Sequence, residues 1–219
     1  PLMKNRPILF YDQLGCGKSD EPLDRSCYSI SQFVDDIDTI LLQTMPSSSQ
    51  TSREKVHLYG HSFGGILAYE FATKFPNAIQ SLTLSNALQN MKIGFKEYLR
   101  LETEKPETFW VEHCCRVGIP TSLQNAIQHA GSVWSGMDVV EDYVAEQKSV
   151  VDDEYFPPTL VLSGSHDFGY QVSNQDAWKP LIPNTTAVNF ENGGHYLFYE
   201  DGPRYGDTME EFFATHEEE

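Results

Sequence analysis

Residues 56–65 read Val56-His57-Leu58-Tyr59-Gly60-His61-Ser62-Phe63-Gly64-Gly65: a short apolar run, a G-x-S-x-G turn and the start of a helical pattern. Strand, sharp turn, then helix is the context in which a serine hydroxyl is lifted from the end of a sheet strand to serve as a nucleophile. Such a turn forces the serine into a sparsely populated backbone region. Gly60 and Gly64, two positions to either side, are expected to keep its neighbours from colliding. A glycine-rich turn with an incidental serine would carry the same letters, so the chemistry needs partners elsewhere in the chain.

Two further segments supply them. Leu160-Val161-Leu162 reads as an apolar strand and leads through Ser163-Gly164-Ser165-His166 to Asp167. Val188-Asn189-Phe190 leads in the same way to His195. Both titratable groups fall just past the carboxyl end of a strand, the rim at which open parallel sheets hold ligands. Ser62, Asp167 and His195 also follow the chain order of a nucleophile–acid–base set on such a sheet. His195 would take the serine proton and return it to the leaving group, while Asp167 would hold the imidazole tautomer and stabilise its charged form. The Phe63 N–H, next after the nucleophile, is the expected first oxyanion donor. The plain alternatives are a turn-capping carboxylate for Asp167 and a satisfied surface histidine for His195. Asp176 competes as the acid, but it begins the helical stretch Ala177–Leu181, where an N-cap role suffices.

Together with Phe10-Tyr11-Asp12-Gln13-Leu14-Gly15-Cys16-Gly17-Lys18-Ser19 and His113-Cys114-Cys115-Arg116, these motifs resemble the α/β-hydrolase superfamily, and specifically its proline iminopeptidase (prolyl aminopeptidase) group, over nearly the whole chain. The resemblance implies an α/β fold: a mostly parallel sheet of the α/β-hydrolase type with helices on both faces and a helical cap. It implies a serine hydrolase that releases an amino-terminal residue, proline preferred, from a small peptide through an acyl-enzyme, with no cofactor and no metal. It further implies that three strands of the family would precede Pro7, leaving this chain amino-terminally truncated. The third of those strands would lie between Pro7–Tyr11 and Val56–Tyr59, inside the sheet. Another polypeptide or a second copy would then supply a strand, or the neighbours would close directly, or the chain would be an incomplete piece. The loop after that strand would carry the second oxyanion donor, so the isolated chain is expected to be weak or inactive. In the cap, Gly136-Met137-Asp138-Val139-Val140 matches a family stretch whose glutamate binds the substrate amino group. Val139 stands where that glutamate would be and cannot pair with an ammonium. Asp138, displaced by one position, and Glu112 or Glu107, if the cap turns them inward, are the substitute candidates, and Trp134 a candidate substrate contact. An esterase or lactonase with the same triad, and a noncatalytic relative, stay open as alternatives.

A chain of 219 residues with 40% hydrophobic content can bury one sizeable core with a small excursion. The expected division is a first core part over 1–88, a helical cap over 89–153 and a second core part over 154–219. The cap is rich in aromatics, among them Phe95, Tyr98, Phe109, Trp110 and Tyr143, which could equally be the core of a small helical layer. The 32 acidic and 15 basic residues give a formal charge of −17, which repels nucleic acid and anionic membrane. Neither a signal peptide nor a long apolar stretch stands out, so a cytoplasmic setting is expected. Cys16, Cys27, Cys114 and Cys115 form neither a disulfide framework nor a zinc pattern. Pro7–Tyr11 reads as a strand. Phe33, Val34, Ile37, Ile40, Leu41 and Met45 recur at helical spacing over 31–45, a loop rich in Pro, Ser and Thr covers 46–52, and a last helix is expected over 205–215.

Overall fold

The computed structural model describes residues 6–45, 54–130, 136–146, 156–182 and 184–217. Four strands, β1 (Val56–His61), β2 (Ile79–Ser85), β3 (Thr159–Gly164) and β4 (Thr185–Phe190), form one parallel sheet in the order β1-β2-β3-β4. Every residue of β3 is buried, which suits a central strand covered on both faces. Its alternation assigns the faces. Val161 packs with Leu82 and Leu84 of β2 and with Phe33, Val34, Leu67 and Phe71. Leu160 and Leu162 point the other way, into Phe190, Tyr205, Met209 and Phe213.

The helices that carry those partners form from amphipathic or wholly apolar segments. In α1 (Ile30–Thr44), Phe33, Val34, Ile37 and Leu41 make the buried stripe, and the Ser29 hydroxyl caps the first turn by accepting from the Gln32 N–H. Helix α2 (Phe63–Lys74) is apolar nearly all round because it lies between α1 and strands β1 and β2. The sheet's other face is covered by α9 (Gly202–Thr215), through Tyr205, Met209, Phe212 and Phe213. Between β2 and β3 the chain runs through α3 (Met91–Glu104), a π-helical turn at Trp110–Cys114, α4 (Thr121–Gln128) and α5 (Gly136–Val140). This is the helical cap. Short α6 (Tyr170–Ser173) and α7 (Gln175–Trp178) follow β3, and α8 (Leu197–Glu200) follows β4.

Two expectations need correction. Pro7–Tyr11 is not a strand: β1 is bonded to β2 alone among the described residues, and no strand lies beside the 7–11 segment to hold its backbone. Ile8, Leu9, Phe10 and Tyr11 are exposed, Phe10 by 86%. Direct closure of this segment onto β1 therefore does not occur. Arg6, just before it, is anchored instead, to Glu210 and Glu217 of the carboxy-terminal segment at 2.7 Å each. The second correction concerns α7, whose N-cap is Asn174 rather than Asp176. The Asn174 carboxamide oxygen accepts from the Asp176 and Ala177 N–H groups. The 46–52 loop and Trp134 lie outside the described residues. No described helix is long and apolar enough to cross a membrane.

Candidate active site

Strand β1 ends at His61 and α2 begins at Phe63, leaving one residue to make the turn. Ser62 makes it at φ 51°, ψ −119°, in a region that L-residues avoid. Its N–H donates to Ser85 O at the end of β2 (2.9 Å), while its C=O accepts from Gly65 N–H, and its side chain makes no capping bond to α2. A Cβ at Gly60 would run into the Gly64 carbonyl, so the tight crossing requires glycine there. Gly64 itself has open space where a Cβ would stand; on that side the crowded position is Gly65, against Ala87.

Asp167 lies three residues beyond β3. Its side chain is fully buried, with Oδ1 accepting from the Gly169 N–H at 2.9 Å. The other oxygen, Oδ2, accepts from His195 Nδ1 at 3.0 Å. A carboxylate so held fixes the tautomer: Nδ1 carries the proton and Nε2 is left as the basic nitrogen. The imidazole is packed between the Phe168 ring (4.6 Å between centroids) and the His61 ring (4.8 Å). Phe168 in turn meets Tyr98 and Phe109 of the cap. Burial, and then the neighbouring His195, hold the His61 imidazole well below its ordinary pKa, so His61 is a neutral wall of the site.

The loop that carries His195 has its backbone groups paired from both sides. The Gly193 C=O accepts from His166 N–H, and the Gly194 N–H donates to Glu200 Oε2 at 2.6 Å. The N–H groups of His195 and Tyr196 donate to the C=O groups of His113 and Cys114 in the cap, at 3.1 and 2.9 Å. Glu200 Oε1 accepts from Arg116 N–H, so one carboxylate joins loop and cap. On the core side, the Asn86 carboxamide donates to Gly194 O and His195 O. Beside it, a Cβ on Gly164 would strike the Gly193 and Gly194 carbonyls, which is how closely β3 approaches this loop. Asn86 and Glu200 carry no motif, and the 113–116 stretch acts here through its backbone carbonyls, which the motif does not reveal. The signal that could have exposed Asn86 is a polar residue directly after a buried apolar strand, at the same rim as the elbow.

The structure thus joins Asp167 to His195 past the ends of β3 and β4 and sets Ser62 and Phe63 at the end of β1, on the far side of β2 in the same sheet. The cap candidates are engaged elsewhere: Glu112 Oε2 accepts from Lys105 Nζ at 3.0 Å, and Asp138 faces Arg25 at 3.8 Å. Cys114 and Cys115 are buried, and burial pushes the Cys114 thiol up to about 12; they are packing groups. A serine–histidine contact outside the site, His57 Nδ1 to Ser81 Oγ at 2.7 Å, lies toward the opposite end of β1 and β2, with Ser81 fully buried in mid-strand. Among the described residues no group of three His, Cys, Asp or Glu could hold a metal ion.

Fold and elbow together define a serine hydrolase of the α/β-hydrolase class. Residues 4–110 match the family described as alpha/beta hydrolase fold. A proline iminopeptidase of Lactobacillus crispatus is 37% identical over 251 aligned positions, covering 97% of this chain and 82% of the relative. One from Heyndrickxia coagulans is 35% identical over 84% of this chain, which spans only about half of it, 51%. The crystal structure of a proline iminopeptidase from Mycobacterium smegmatis superposes with a TM-score of 0.73 at 20% identity, over 94% of this chain and 79% of that one. The chain belongs to the proline iminopeptidase family of the α/β-hydrolase superfamily.

Proposed function

We propose that the chain cleaves acyl bonds by way of an acyl-enzyme on Ser62, with His195 as general base and Asp167 as its orienting carboxylate. The observation that carries this is the buried 3.0 Å Asp167–His195 bond at the rim where Ser62 is strained out of the sheet. The developing oxyanion is taken by the Phe63 N–H at the start of α2, where the helix's amide dipoles also favour negative charge. A second donor is needed for full rate; losing one costs roughly 3 kcal/mol, or about a hundred- to a thousandfold in turnover. The open edge of β1 is where a strand from another polypeptide or a second copy would add, and with it a loop able to supply that donor.

The favoured substrate is a peptide with a free amino terminus, proline first, in keeping with the relatives' names. One observation favours an acyl ester or lactone instead: Glu112 and Asp138, the candidates to replace the family's amine-binding glutamate, are paired with Lys105 and Arg25. The first test is labelling by a fluorophosphonate together with hydrolysis of a small activated ester, with Ser62→Ala as control. Labelling that survives S62A would overturn the assignment of the nucleophile. Proline and alanine arylamides tested beside amino-blocked analogues then separate the two substrate classes: a preference for blocked substrates excludes amino-terminal recognition.

A further inference from the structure

We infer that Asn86 is a positioning residue for the catalytic base, fixing His195 relative to Ser62 through the end of β2. The inference rests on the triad proposed above. Asn86 is fully buried and has φ 44°, one of two non-glycine residues at positive φ among the described residues; the other is Ser62. Asparagine tolerates this conformation better than most side chains. Here the conformation lets one carboxamide reach three backbone groups. Oδ1 accepts from the Gly164 N–H at the end of β3 (3.0 Å), while Nδ2 donates to Gly194 O (3.0 Å) and His195 O (2.6 Å). The amide can face only one way, since a flip would set its oxygen against two carbonyls and its nitrogen against an N–H. Its own N–H donates to Leu162 O at 2.8 Å.

What raises this above ordinary satisfaction of buried groups is the neighbour. Ser85 O accepts the N–H of Ser62 at 2.9 Å, and the very next residue holds the carbonyl of His195. Two consecutive residues of one strand end therefore grip the nucleophile and the base, and Asn86 also ties in β3, the strand that leads to Asp167. Its side chain faces backbone on all three contacts, so it acts through His195 and not on substrate. A displacement of the base by about 1 Å is enough to cost on the order of a hundredfold in rate.

The test uses Asn86→Gly, which keeps the left-handed backbone accessible and deletes the whole side chain with its three contacts, and Asn86→Asp, which keeps size and the acceptor for Gly164 but removes both donor contacts. Folded variants should show kcat lowered about ten- to a hundredfold with KM within twofold. The downfield proton resonance of His195 Nδ1–H should shift or broaden. A folded N86G chain with kcat within twofold of the parent and an unchanged resonance overturns the inference. If neither variant folds, the unaltered chain still decides: hydrogen-bond scalar couplings should link the Asn86 side-chain nitrogen to the carbonyl carbons of Gly194 and His195, and their absence overturns it. Failure of the parent chain to label with fluorophosphonate would instead sink the hydrolase proposal, while the resonance and couplings continue to report on Asn86.

Discussion

Ser62 pays for its position in backbone strain, of order 1–3 kcal/mol for a non-glycine residue at its φ of 51°. Glycine there would relieve the strain at a smaller cost in unfolded-chain entropy. Ser62→Gly should therefore be more stable than Ser62→Ala by about 1 kcal/mol, read as a higher urea midpoint, while both lack activity. Equal midpoints would mean that the turn is not strained. At Asp167 the carboxylate orients His195 through Nδ1, so Asp167→Asn should leave the fold intact and lower kcat by about 10⁴ through the wrong tautomer. Loss of less than tenfold would remove Asp167 from the triad. Both residues stood out in the sequence because each follows an apolar run. Asn86 did not, since one asparagine after a strand has no pattern until the Gly194 and His195 carbonyls are seen against it.

Among the elements, β1 and the His195 loop show how local signals and tertiary partners divide the work. The runs 56–59, 160–162 and 188–190 are legible as strands because short runs rich in apolar and β-branched residues between turn residues favour extended backbone, and all three lie within strands of the sheet. Pro7–Tyr11 has the same kind of composition and stays exposed, because a strand also needs a neighbour to bond its backbone. The capping of α7 differed for a related reason: Asn174 and Asp176 are both good caps, and the chain's path chose the former. The His195 loop depends on Glu200, whose carboxylate accepts from Gly194 and Arg116. Hydrogen bonds to a charged group contribute about 1.5–3 kcal/mol. Glu200→Ala should thus speed hydrogen exchange at the amides of Gly194, His195 and Arg116 well before those of β3. Uniform acceleration across the sheet would point to global destabilisation instead.

At the scale of the whole molecule, stability should depend on pH through two imidazoles of β1, His57 packed on Phe213 of α9 and His61 packed on His195, Tyr196 and Phe198. His61 and His57 both have folded-state pKa values below the ordinary one, chiefly from burial. As pH falls through about 6.5 the unfolded chain takes up protons that the folded chain refuses. Their contribution is therefore complete above that pH and is lost progressively below it. The urea midpoint should drop between pH 7.5 and 5.5, and the drop should shrink in His57→Gln/His61→Gln; an undiminished slope would assign it to other groups. The strand-to-helix elbow, the chain order Ser62–Asp167–His195 and the amphipathic helices are legible without coordinates, because periodicity and turn geometry are local constraints written in neighbouring residues. Tertiary contacts settle the rest: Glu112 pairs with Lys105 and Asp138 with Arg25, residues 7–11 have no strand partner among the described residues, and Asn86 ties the end of β2 to β3 and to the loop after β4. Apart from Lys105 and Glu112, seven positions apart, these outcomes depend on distant groups meeting: Asn86 lies 78 to 109 positions from Gly164, Gly194 and His195, yet is brought within the ~3 Å of a hydrogen bond to each.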